Sequence, residues 1–162
     1  MSHSRRTPVR YWLFKSEPAA FSIADLAKRN NRTEHWDGVR NFQARNFMRD
    51  EMQSGDLGFL YHSSCAEPAI VGIVKIVRPG YPDFTAFDPL DAHYDPKSTP
   101  QRPLWYMVDV RLEREFRQPI TLRSLKTHPA LSRMRLLARG NRLSVMPVER
   151  REWDYILKLA RR

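Results

Sequence analysis

The sequence has one cysteine, Cys65, and only six glycines in 162 residues. A single thiol excludes an internal disulfide and any cysteine-rich zinc site, and it fits a reducing compartment, with the cytoplasm as the default expectation. So few glycines leave little material for a phosphate cradle, and no G-x-G-x-x-G or Walker loop occurs among them, which excludes dinucleotide-binding and P-loop folds. No apolar run comes near the roughly 18 residues of a membrane helix. The first ten residues are polar and basic, without the hydrophobic segment of a secretory signal. His3, His35, His62, His93 and His128 are scattered without ligand spacing. The aspartates near residue 90 lack the spacing of a calcium loop, so neither a metal nor a cofactor is expected.

Acid is also in short supply. The chain carries 28 Lys and Arg against 18 Asp and Glu, a formal charge of +10, and that excess makes a polyanion the first partner to consider. The charge is uneven. Arg5, Arg6 and Arg10 crowd the start, and Arg133, Arg135, Arg139, Arg142, Arg150 and Arg151 crowd the last third. Asp83, Asp88, Asp91 and Asp95 share a stretch without Lys or Arg. A basic side and an acidic side follow. Apolar residues make up 41% of the chain, enough for one core at this length, so a single domain over 10–160 is expected after a flexible basic arm at 1–9.

Along that domain, Tyr11 to Lys15 reads as a buried strand ended by Pro18. Ser22 and Asp25 match a capping box, and Ile23, Leu26 and Ala27 give the helix an apolar stripe before a polar run. Asp37-Gly38 predicts a loop over Trp36–Arg40. Asn41 then caps a helix with Ala44, Phe47, Met48 and Met52 on one face and Gly55 as its stop. Residues 57–63 and 69–77 predict a β-hairpin, and the proline-rich 78–103 a long excursion. Trp105 to Phe116 alternates, with Tyr106, Val108, Val110 and Leu112 on one face. A short helix over Thr121–Lys126, a second from Pro129 to Gly140, a strand over Leu143–Val148 and a helix bearing Trp153, Ile156, Leu157 and Ala160 complete the chain. Without regular βα alternation, the fold class is α+β: a small mixed barrel of five to six strands with peripheral helices.

Aromatic and polar residues interleave at the strand ends: Trp12 and Phe14 by Lys15, Ser16 and Glu17; Trp36 by Asp37; Tyr61 by His62 and Ser63; Trp105 near Asp109. Stacking surfaces beside hydrogen-bonding groups suit a planar heterocycle, although such aromatics are as often core. His62, Ser63 and Cys65 invite a nucleophile reading, but adjacent strand residues point to opposite faces and do not make a nucleophile–base pair. Arg45, Arg49 and Arg142 carry guanidinium forks that match phosphate oxygens.

Seven segments then become specific: YWLFKSEP (11–18), WDGVRNFQARN (36–46), GDLGFLYHS (55–63), YPD (81–83), YDPKS (94–98), WYMVDV (105–110) and NRLSV (141–145). In order and spacing they resemble the EVE family over about residues 10–157. The resemblance implies a PUA-like pseudo-barrel related to YTH and ASCH domains, and a non-catalytic module that reads a modified base, in DNA a modified cytosine, or in RNA by analogy to YTH domains. By motif it places Lys15 and Ser16 at the mouth of a base pocket and Trp36 as its stacking residue. Asn41 and Ser16 would read the base edge, Tyr61, His62 and Ser63 line the pocket, and Arg142, Leu143 and Ser144 close it. Arg45 and Arg49 are the expected phosphate contacts. Phe84, Phe87 and Trp105 are the candidates for a second aromatic wall. The alternatives are an ASCH-like amidohydrolase on a modified cytidine, using Lys15 and Glu17, or a protein-interaction domain. A monomer without membrane or metal is expected.

Overall fold

Trp12, Leu13 and Phe14 are fully buried, because their strand has neighbours on both sides and is covered on both faces. A continuous apolar run rather than an alternating one is the sequence expression of that position. The computed structural model describes residues 8–161, so most of the expected arm at 1–9 lies outside the described residues. Six strands form one sheet: β1 (Tyr11–Ser16), β2 (Thr33–His35), β3 (Leu57–His62), β4 (Ala69–Pro82), β5 (Tyr106–Thr121) and β6 (Val145–Val148). Their order is β2-β5-β4-β3-β1-β6. The sheet does not close, and its two edges are β2 and β6.

The hairpin is present: β3 and β4 pair antiparallel, Leu57 opposite Lys75 and His62 opposite Ala69. In β5, Val108, Val110 and Leu112 are buried and Asp109 and Arg111 are not, as the alternation requires. Strand β2 has no counterpart in the sequence reading, because Thr-Glu-His lacks apolar alternation. Pairing with Asp109–Arg111 of β5 creates it at the sheet edge, where one face is wet and polar residues are tolerated.

Helix α1 (Ile23–Lys28) has the expected reciprocal capping box between Ser22 and Asp25. The expected helix after Asn41 is shorter, as α2 (Phe42–Asn46) passes into a π-turn over Phe47–Glu51 that ends when the Met52 N–H reaches the Phe47 carbonyl. Ala44, Met48 and Met52 still face the core. Helix α3 (Leu122–Leu125) is capped by Thr121. Between Pro129 and Gly140 there are two 3-10 turns, Pro129–Leu131 and Arg135–Leu137, instead of one helix. Leu131, Met134 and Leu136 are the buried anchors, and their spacing does not make a helical stripe. Helix α4 (Arg150–Ala160) docks through Trp153, whose ring stacks on Phe59 at 3.9 Å and on Tyr11 at 4.6 Å.

One buried carboxylate ties the start of this sheet together. Asp56 is fully buried and accepts from the Arg10 N–H, the Trp12 indole N–H and the Gln53 N–H at 3.0–3.1 Å. Replacing it by alanine strands three donors, each with a desolvation cost. Asp56→Ala is expected to lower unfolding free energy by about 3 to 5 kcal/mol in urea titration, with Asp56→Asn losing less because it keeps one acceptor oxygen.

Candidate functional site

Strands β1 and β3 run parallel, Lys15 beside Tyr61 and Ser16 beside His62, so their carboxyl ends finish side by side. Strand β6 pairs only with Tyr11–Phe14. Beyond it, Lys15 keeps one contact on that side, its N–H to the Ser144 carbonyl at 2.8 Å. At this open end lies a cleft of about 560 Å³ lined by Lys15, Ser16, Glu17, Ala20, Phe21, Arg29, Glu34, His35, Trp36, Asp37 and His93.

Its aromatic side is Trp36 with Phe21. The indole is only 8% exposed, held edge-on by Phe14 at 5.4 Å and Phe21 at 6.1 Å, so a strip of it meets the cleft while the rest is packed. Among the described residues its indole N–H has no acceptor. The rim is polar and of mixed sign. Arg29 pairs with Glu34 at 2.7 Å and lies over the Phe21 ring, and His93 approaches Asp37 at 3.4 Å. Lys15 and Glu17 make no ion pair with each other, and burial holds the Lys15 ammonium below its ordinary pKa. Ser16 donates through its hydroxyl to the Phe21 carbonyl, which fixes the turn after β1. Three carboxylates against two permanent cations make this a poor phosphate seat and a suitable one for a neutral heterocycle with donors and acceptors on its edge.

The wall carrying Trp36 is positioned by Asp83. Its carboxylate is fully buried and accepts from the Gly38 N–H at 2.8 Å, from Arg40 at 3.0 Å and from the N–H and hydroxyl of Thr85. Burial alone pushes this group up; the Thr85, Gly38 and Arg40 donors outweigh it and hold it below the ordinary carboxylate value. Gly38 has φ +80, and a Cβ there would lie 2.6 Å from the His93 ring, so only glycine lets the loop and the excursion meet.

The other expected pocket residues are placed elsewhere. Tyr61 is interior, and burial raises its phenol. His62 accepts the Ile23 N–H on Nε2 at 3.1 Å, satisfying a first-turn donor of α1. Ser63 follows it, its N–H on the Ser16 carbonyl. Asn41 caps α2 through Ala44 and, with Arg142 and Leu143, lines a neighbouring cavity. Ser144 contributes its carbonyl to Lys15. Trp105 is buried, donates to Asp95 at 2.7 Å and stacks on the exposed Phe42 at 4.7 Å. Arg45 donates to the Leu104 carbonyl at 2.6 Å and lies over Phe42, and Arg49 pairs with Asp50. Phe84 meets His35 edge-on outside the cleft. Phe21, Glu34, His35 and His93, which complete the cleft, were not among the expected residues. His35 and Glu34 belong to the illegible β2, and His93 arrives from 55 residues beyond Gly38 in sequence.

Two stability predictions follow from these contacts. Asp83→Ala is expected to cost about 3 to 5 kcal/mol and to speed amide exchange at Gly38 while β1 and β3 stay protected. The His62 imidazole is held below its ordinary value of 6.5 by burial. Its contribution to stability is therefore complete above about that pH and is lost as pH falls through the lower folded-state value. Urea midpoints from pH 7.5 to 5 should show this decline, and His62→Gln, which retains an acceptor for Ile23, should flatten it.

Comparison with known proteins agrees with this geometry. A family model described as the EVE domain matches residues 10–159. Thymocyte nuclear protein 1 of Gallus gallus is 46% identical over 166 residues, covering 92% of this chain and 68% of the relative. The crystal structure of human THYN1 protein in complex with 5-methylcytosine containing DNA superposes with a TM-score of 0.89 at 42% identity, covering 94% of this chain and 98% of that one. An ASCH protein from Zymomonas mobilis, at 10% identity and a TM-score of 0.51, shares the fold alone.

Proposed function

Because this chain belongs to the EVE domain family, we propose that it is a non-catalytic module that captures one modified base, a modified cytosine in DNA before others, in the cleft beside Trp36. The observation that carries the reading is that cleft: a half-polar hollow at the open end of β1, bounded by Trp36 and Phe21 and ringed by carboxylates, Lys15 and Ser16. The 5-methylcytosine DNA held by the human relative supports cytosine as the base. A cytosine edge offers an exocyclic amine donor beside acceptors. The carboxylates of Glu17 and Asp37 are the acceptors for that amine, and the Lys15 ammonium is the donor for its carbonyl or ring nitrogen. The apolar strip from Ala20, Phe21 and Trp36 suits an added methyl group.

Since every contact named is to the base, a modified RNA base is the second ligand class. The amidohydrolase alternative is the weaker reading, because Lys15 and Glu17 share the cleft without assembling as an acid–base pair. Among the described residues no helix is long and apolar enough to cross a membrane. The lone Cys65 supports a reducing compartment, and we place the domain there, in the cytoplasm, acting as a monomer.

Anisotropy titrations with matched oligonucleotides, with and without one 5-methylcytosine, test the reading. Tighter binding of the modified strand is expected. Trp36→Ala, folded by thermal melt, should weaken that complex by about 5- to 150-fold, the equivalent of 1 to 3 kcal/mol for a lost stack. Lys15→Gln at the mouth carries the same test should Trp36→Ala not fold. Equal affinity of the wild type for both strands overturns the proposal.

A further inference from the structure

The cleft beside Trp36 accounts for little of the +10 charge, and the surplus is concentrated in one place. The segment between the 3-10 turn at Pro129–Leu131 and β6 is pinned inward by Leu131, Met134, Leu136 and Leu143, all buried. Between those anchors Arg133, Arg135, Arg139 and Arg142 point outward and are exposed. Among the described residues, Arg133, Arg139 and Arg142 make no hydrogen bond or ion pair. Arg135 meets only the Phe47 ring, at 5.8 Å. Elsewhere arginines are occupied: Arg10 by Glu51, Arg29 by Glu34, Arg40 by Asp83, Arg45 by the Leu104 carbonyl, Arg49 by Asp50, Arg123 by Glu67.

The four free guanidinium groups border two hollows. One, of about 400 Å³, lies between Asn41 and Gln43 on one side and Arg139, Asn141 and Arg142 on the other. The other, of about 620 Å³, lies between Arg10 and Tyr11, Arg133, and Glu149 to Glu152. Arg135 lines both, so they form one path. Its first end adjoins the base cleft twice. Ser144, two residues after Arg142, holds the N–H of Lys15, and Asn41 closes the loop that begins at Trp36. Carboxylates at the far end are engaged: Glu149 with Arg151, and Glu152 with the Glu149 N–H.

We propose that this path, from Arg142 and Arg139 through Arg135 to Arg133, is the seat of the phosphodiester backbone flanking the captured base. It rests on the base-capture reading, and it assigns the backbone to these arginines in place of Arg45 and Arg49, whose guanidinium groups are already engaged. Exposed guanidinium forks held on a pinned segment, without carboxylate neighbours, match successive phosphate oxygens. An acidic protein partner fits less well, since the path exposes no large apolar side chain to anchor one.

Salt dependence separates this proposal from the base reading. Titrations of a 12-mer across potassium chloride concentrations should give a log–log slope that falls by roughly 0.7 per arginine removed on a single strand, or about 0.9 on a duplex. The triple variant Arg133→Ala, Arg139→Ala, Arg142→Ala should thus lose about 2 units of slope on single strands, equally for modified and unmodified strands. Binding of the free 5-methylcytosine nucleoside should stay at the wild-type level. An unchanged slope in the triple variant overturns the backbone path, whatever the wild type's base preference. A slope unchanged for DNA together with lost binding of polyglutamate would assign the surface to an acidic protein instead and overturn it equally. Loss of modified-strand preference in the wild type, with the slope change intact, would count against the base reading alone.

Discussion

The buried carboxylate of Asp83 is the contact on which the arrangement of the site depends. A carboxylate removed from water is costly unless it is well supplied with donors, and here Gly38, Arg40 and Thr85 supply four. Two of those donors belong to the loop after Trp36 and two to the start of the excursion that follows β4. The cost of burying the charge is offset only when both segments are in place, so the carboxylate couples them. Without it, neither the Trp36 loop nor the segment bearing His93 has a reason to sit against the end of β1. Hydrogen bonds of this directional kind specify a geometry that apolar packing alone leaves loose.

Charge is then divided by task. The cleft carries Glu17, Glu34 and Asp37, which repel phosphate and accept from a base. The unpaired arginines lie outside it, on a segment whose inward residues are all apolar. A chain that read a base with arginines would hold any polyanion at its pocket and lose selectivity, because phosphate attraction carries no sequence information. Keeping acid at the cleft and free guanidinium groups beside it lets affinity and identity come from different residues.

Much of the fold was legible because burial on a strand or helix leaves a period. The run at Tyr11–Lys15, the hairpin of β3 and β4, the alternation at Val108, Val110 and Leu112 and the Ser22 capping box are each local, and each appears where the sequence places it. What was not legible is made by pairing. Thr33–His35 is a strand only because β5 offers it an edge, and the turns after Pro129 are set by which of Leu131, Met134 and Leu136 can reach the core. The site divides in the same way. Lys15, Ser16 and Trp36, carried by motif, meet in the cleft. Phe21, His35 and His93 come to it from a turn, an edge strand and a distant excursion, and no short-range pattern announces such a meeting. Asn41, Tyr61 and His62 adjoin the cleft in sequence but are occupied by a helix cap, the core and a helix first turn.

The open sheet is the last constraint. A closed barrel would pair every strand along its length and leave the end of β1 flanked on both sides. Here β6 stops opposite Phe14, and at Lys15 and Ser16 the strand has β3 on one side and little on the other. That missing partner exposes the two residues that face the ligand, and it places Ser144, and with it Arg142, at the cleft's border. The same short edge strand therefore makes room for a base and delivers the first arginine of the path beside it. Lengthening β6 by two residues would close the cleft and move the guanidinium group away, which ties the two features to one property of the fold.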